Sequence, residues 1–232
     1  ELPAEAAAPE EKAQAPASMR PALVRLGVAG LLFAAALFAQ SRRAEIQRLF
    51  GPPPAELGEA YSANPGGATF DHSVFDALLH RYVDDEGFVD YRGLQGELAA
   101  LDAYIAAVGA ANFDALTRDE KLALLINGYN AFTLRLILDN YPIDSIRSIP
   151  DAKRWNAKRW AIAGGTYSLN QIEHEQVRPK FAEPRIHFAL VCAAVGCPKL
   201  RNEAFTGARL EEQLEDQTRY VHTGDRWFGY ED

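Results

Sequence analysis

The stretch TRDEKLALLINGYNAFTLRLIL, residues 117–138, decides how this chain folds. Thr117 with Glu120 three residues on is a helix-start signature. The hydroxyl accepts from the third helical amide, and the carboxylate is expected to reach back to the cap's own N–H. From Leu122 to Leu138 the run is apolar on nearly every face, so the helix is expected to be buried on most sides. It is predicted to continue to about Asn140, where Tyr141-Pro142 stops it. Two amides interrupt the apolar run. Asn127 and Asn130 are three apart and share a face. A buried amide without partners costs roughly 1–3 kcal/mol, so something must satisfy them. One reading is a neighbouring loop backbone. The other is a site in which the amide orients a histidine or a ligand.

Such a helix needs other elements around it, and the flanking sequence supplies them. Asp71 to Tyr82 has Val74, Leu78 and Tyr82 four apart, which predicts an amphipathic helix. Asp84-Asp85-Glu86-Gly87 reads as a turn and Phe88 to Tyr91 as a short extended piece. Leu94 to Gly109 predicts another helix, with Leu98, Leu101, Ile105 and Val108 on one face. Beyond the central helix, Trp155, Trp160 and Ile162 suggest a strand, Gly164-Gly165 a turn, and Tyr167 the start of a returning strand. Ser168 with Gln171 is a second capping box, opening a helix that ends near Val177 because Pro179 disfavours helical geometry at Arg178. Arg209 to Tyr220 closes the pattern as a last helix. The fold class expected is α+β, mostly helical with a small antiparallel sheet. Lys153, Arg154, Lys158 and Arg159 form a dense basic run, read as a solvated face or as a contact for an anionic ligand or lipid headgroup.

The N-terminal part reads differently. Residues 1–18 are rich in Ala, Glu and Pro without apolar periodicity, a composition that cannot bury enough surface to fold. Met19 opens a basic segment with Arg20 and Arg25. Leu26 to Ala39 is then apolar or small throughout, about 14 residues, which suits a signal peptide and is short of the roughly 20 of a membrane span. Ala34-Ala35-Ala36 offers an Ala-x-Ala cleavage site, and Leu37-Phe38-Ala39 a second. The expectation is a signal peptide or N-terminal anchor over 19–39, a short helix over 44–50 within a linker over 40–69, and a globular domain over 70–232. That places the protein in the periplasm or outside the cell, with any membrane contact through an uncleaved N-terminal segment.

Composition agrees with a packed domain, with 48% hydrophobic and 24% charged residues. A formal net charge of -8 argues against nucleic acid as a partner, because phosphate binding needs a basic face. No phosphate loop or dinucleotide fingerprint is present. The partner expected is a small-molecule or peptide substrate.

Residues 183–198 carry the chemistry-bearing side chains: Arg185, His187, Cys192 and Cys197. A helix opening at Pro184 and a buried strand through Ile186 to Val191 are both open readings. His187 and Cys192 stand five apart, about 140° around a helix and on opposite faces of a strand, so they are not a local dyad. His174 on the preceding helix is the better partner for Cys192. Three readings compete. Cys192 could be a thiol nucleophile with His174 as base and Asn127 as the group orienting the ring. His174, His187, Cys192 and Cys197 are a legitimate zinc set, although the short Cys-x-x-Cys hairpin is missing; otherwise no cofactor is implied. A Cys192–Cys197 disulfide is the third reading, favoured by an oxidising compartment, and it would exclude a free nucleophile.

Ile126-Asn127-Gly128-Tyr129-Asn130-Ala131, then Ser168-Leu169 with Ile172-Glu173-His174, then Pro184 to Cys192 with Cys197-Pro198 occur in order. Together they resemble the family numbered 547 among domains of unknown function, over about residues 70–220. The resemblance implies a site at Asn127, Asn130, Glu173, His174, Arg185, His187, Cys192 and Cys197, and by analogy papain-like or transglutaminase-like thiol chemistry. It also implies further helical and aromatic segments after the last helix, so the chain reads as C-terminally truncated. The function expected is a thiol-dependent hydrolase or acyltransferase acting on an amide or peptide-like bond. Cys192, His174 and Asn127 would be catalytic, with Asn130, Glu173, Arg185, His187 and Cys197 supporting the pocket. The competing expectation is a non-catalytic envelope binding or interaction domain held by the disulfide.

Overall fold

The structure, a computed structural model, describes residues 57–194 and 196–224. The expected signal peptide, the helix over 44–50, the first part of the linker and the tail after Gly224 lie outside the described residues. Within them the architecture is α+β and mostly helical. Its elements are α1 (Ser73–Tyr82), α2 (Tyr91–Gln95), α3 (Leu98–Ala110), α4 (Arg118–Leu138), α5 (Asp151–Arg154), β1 (Trp160–Ile162), β2 (Gly165–Tyr167), α6 (Leu169–Gln171) and α7 (Leu210–Thr223). No helix among the described residues is long and apolar enough to cross a membrane.

Helix α4 is the axis of the core. Every residue from Glu120 to Leu134 is buried, as its all-round apolar pattern requires. Helix α3 packs along it, and α1 packs on α3 through Phe75, whose ring stacks on Tyr104 at 4.8 Å between centroids. Thr117 caps α4 by accepting from the Glu120 amide at 3.1 Å. The other half of the expected capping box is absent. Glu120 turns away from its own helix end, accepting from the Gly207 N–H at 2.8 Å and lying 3.2 Å from His72 Nε2. A carboxylate buried this deeply is held by distant donors instead of a local cap.

The sheet is one antiparallel hairpin, pairing Trp160 with Tyr167 and Ile162 with Gly165. Its turn is Ala163-Gly164, one residue before the expected Gly-Gly pair. Both turn residues have positive φ, 51° and 74°, which the right-handed twist of a tight hairpin demands. Trp155 lies outside the strand, just after α5. The hairpin lies directly against α4, because Gly128 leaves room for Ile162. A Cβ there would come within 2.5 Å of the Ile162 Cδ1.

The linker ends earlier than expected. Glu59 pairs with Arg118 at 2.8 Å, Ala60 donates to Lys180 O, and Tyr61 packs on Phe181 at 5.1 Å. Residues from Glu59 are therefore fastened to the domain. The single helix expected over Leu94 to Gly109 is two, α2 and α3, and Asp90 caps α2 by accepting from Gly93 N.

Candidate functional site

The site is assembled where the C-terminal half of the chain crosses α4. Ser168 opens α6 with a complete capping box, its hydroxyl accepting from Gln171 N and the Gln171 amide returning to Ser168 N–H. The helix then widens into a π-helical turn, Ile172–Val177, closed by Arg178 N donating to Glu173 O at 3.0 Å. Such turns re-aim side chains and recur at functional sites. Residues 184–188 form a 3₁₀ turn, so neither the α-helix nor the strand expected for this stretch is formed. Pro184 and the Glu183 carboxylate, which accepts from Arg185 N, start it.

The chain after that turn is gripped by two buried amides. Asn130 donates to Ala189 O at 3.0 Å and accepts from Val191 N at 3.0 Å. Gln217 of α7 donates to both Phe188 O and Lys199 O at 2.8 Å. These four backbone anchors bracket the cysteines. Cys192 and Cys197 are joined as a disulfide with Cα atoms 6.2 Å apart, within the range disulfides usually span.

Cys192 lines a cleft of about 210 Å³ with Tyr129, Trp155, Asn170 and Glu173. Cys197 lines a different cavity, with Asn130, Thr133, Leu134, Val191 and Leu200. The disulfide thus joins a residue of one recess to a residue of the other.

Glu173, one of the residues lining the Cys192 cleft, belongs to an ordered polar array. Glu173 pairs with Arg178 at 2.8 Å, and Arg178 donates to His187 Nδ1 at 3.3 Å. Because a guanidinium only donates, His187 carries its proton on Nε2. Burial, and then the adjacent Arg178 charge, hold this imidazole's pKa below its ordinary value. Burial pushes the Tyr129 phenol up, and the facing Glu173 carboxylate adds to that. His174 Nδ1 lies 3.0 Å from Asn170 O. A carbonyl only accepts, so Nδ1 holds a proton, and in the neutral ring the lone pair is on Nε2. With both rings neutral, the array presents His174 as acceptor and His187 as donor at Nε2.

From the set read in the sequence, the structure brings Cys192 and Glu173 together on one cleft. His187 is linked to Glu173 through Arg178, and His174, next to Glu173 in the chain, is exposed and bonds back to Asn170 O. Asn127 is not with them. It donates to Phe205 O at 2.7 Å and accepts from Phe205 N at 3.0 Å, and the ring it touches is His72, at 3.1 Å. The group that orients His174 is the backbone of Asn170. Asn130 positions the loop before Cys192. Arg185 is spent on Glu183 and on a bidentate pair with Glu211 at 2.8 and 2.7 Å. In the disulfide neither sulfur is a thiolate, so the His174, His187, Cys192 and Cys197 set does not fit zinc. Among the described residues no group of three or more His, Cys, Asp or Glu could hold a metal. In the basic run, Arg159 pairs with Asp139 and lies over the Trp160 ring, and Arg154 pairs with Asp151.

Tyr129, Trp155, Asn170 and Arg178 were not picked out as site residues from sequence. The one available signal was spacing. Asn170 precedes His174 by four, the offset at which a helical side chain reaches back to a carbonyl.

Residues 113–220 match the model of a family described as a protein of unknown function, DUF547. The resemblance carried by the three motifs is thereby shown over that segment. No curated protein and no solved structure matches the chain.

Proposed function

For a chain whose residues 113–220 are a DUF547 segment, we propose an exported thiol-dependent hydrolase or acyltransferase, acting on an amide or peptide-like bond, with its thiol stored as a disulfide. The observation that carries this reading is the position of Cys192 in a cleft with Asn170, whose carbonyl holds the His174 ring, and Glu173, the residue that precedes His174. In the reduced protein Cys192 is the nucleophile and His174 Nε2 the base that takes its proton. His187, with its proton on Nε2, serves the leaving group. Asn127 has no catalytic part in this version. The comparison with papain-like or transglutaminase-like enzymes is one of chemistry, a thiol beside an imidazole. Export is part of the proposal, supported by the apolar run after Met19 and by the disulfide.

The test compares reduced full-length protein with its Cys192→Ala and His174→Gln variants, using peptide and activated-amide substrates. Turnover that needs reductant and falls at least about a hundredfold in both variants supports the reading. Turnover unchanged in Cys192→Ala overturns it. The disulfide itself favours a second reading, a non-catalytic envelope binding domain in which Cys192–Cys197 is only a brace. That reading predicts unchanged ligand binding in a double Cys→Ala protein that still folds.

A further inference from the structure

We infer that the Cys192–Cys197 pair is a thiol–disulfide exchange site with a fixed direction of attack: an incoming thiol enters the Cys192 cleft, and Cys197 is the leaving sulfur. The inference rests on the reading of Cys192 as the site thiol, and adds how that thiol is released.

Three observations set the direction. The two cysteines line different recesses, so a thiol in the cleft walled by Trp155, Asn170 and Glu173 is beside Cys192 and not Cys197. The Cys192 backbone N–H donates to Cys197 Sγ at 3.3 Å. A hydrogen bond to sulfur stabilises negative charge there, and a stabilised thiolate leaves faster. His174 follows the lining residue Glu173, and its Nδ1 is held by the carbonyl of the lining residue Asn170, so as a neutral ring it offers Nε2 to the proton of an incoming thiol. The loop ends are pinned by Asn130 and Gln217, so the fold holds the two cysteines close after the bond opens.

The step balances as follows. The incoming thiol gives its proton to His174 Nε2. Its sulfur then forms a bond to Cys192 Sγ, the bond between Cys192 and Cys197 breaks, and the electron pair stays on Cys197 as a thiolate. A second thiol attacks the mixed disulfide and frees Cys192. Two thiols of a peptide or small-molecule reductant are oxidised to one disulfide, and the protein pair is reduced to two thiols.

The experiment uses the oxidised full-length protein and reduced glutathione as probe, with no amide substrate present. Acid quenching, alkylation and mass spectrometry locate the first adduct. The expected result is glutathione on Cys192 and the alkylating group on Cys197. The His174→Gln variant should exchange at least about tenfold more slowly at pH 7, and the deficit should shrink at pH 9, where glutathione ionises unaided. A purely structural role for His174 would not produce that pH dependence. Adduct on Cys197 overturns the inference, as does a disulfide that opens only when the protein is unfolded. Exchange without amide turnover would remove the hydrolase reading alone. Turnover by chemically reduced protein without native-state exchange would remove this inference alone.

Discussion

Asn127 shows how a residue type with two uses is assigned by its surroundings. The sequence places an amide in an apolar helix and demands a partner for it. It does not say that the partner is Phe205, which lies far along the chain. Both ends of the Asn127 amide serve the Phe205 backbone, and its remaining N–H turns to His72. His72 in turn lies 2.8 Å from the Tyr104 hydroxyl. All of these side chains are buried. Replacing Asn127 with Ala leaves an N–H and a carbonyl of Phe205 unpaired away from water. The expected loss is about 2–4 kcal/mol in urea unfolding. Activity per folded molecule should be unchanged, because Asn127 does not touch the Cys192 cleft. A variant of wild-type stability that has lost activity would return Asn127 to the catalytic set. His174 is the complementary case. Its identity as a candidate base was legible from composition and order, whereas its tautomer is set by a carbonyl that only the folded turn brings to it.

At the level of elements, long periodic segments were legible and short special ones were not. Helices α4 and α7 and the hairpin follow from apolar spacing, capping residues and turn chemistry, all of which are local. The π-helical turn over Ile172–Val177 and the 3₁₀ turn over Pro184–Phe188 differ from an α-helix by the span of their hydrogen bonds. Apolar spacing over so few residues does not resolve that span. The contact between α4 and β1 is similarly hidden, since a glycine within a helix reads only as a weak helix former. Its use is proximity. Gly128 faces Ile162 and Val108, both fully buried, so neither has space to withdraw. Gly128→Ala gains about 1 kcal/mol of helix propensity and loses about 1–3 kcal/mol to overpacking. The net expectation is a loss near 1 kcal/mol, and Gly128→Val should lose more. Thermal unfolding of the two variants checks the order. A stabilised Gly128→Ala would mean that the hairpin stands further from α4 than described.

Across the whole molecule the net charge is -8, and several of the carboxylates behind it work inside the fold. Glu59, Glu120, Glu183 and Glu203 are each pushed up by burial and pulled down further by donors. Those donors are Arg118 for Glu59, His72 and the Gly207 N–H for Glu120, Arg185 for Glu183, and Arg201 with Arg209 for Glu203. All four end below the ordinary 4.5 of a glutamate. A group whose folded pKa is depressed stabilises the fold above its unfolded pKa, and that stabilisation is lost as pH falls through the folded value. The Glu59 and Glu120 links join separate segments, residue 59 to α4 and α4 to the stretch just before α7. Glu183 and Glu203 pair locally with Arg185 and Arg201, which reach on to Glu211 and Asp216 of α7. Acid should therefore loosen the packing of α7 and of the N-terminal segment together. Stability measured by urea unfolding should be level above about pH 5 and fall steadily below pH 4.5. Glu120→Gln removes one of the four titrating groups, so its curve should start lower at pH 7 and decline less steeply in acid. The Glu183→Gln curve should behave likewise and also release Arg185. Parallel curves for wild type and Glu120→Gln would show that Glu120 has the same proton affinity folded and unfolded, and the buried link from His72 through Glu120 to Gly207 would then contribute nothing to acid stability.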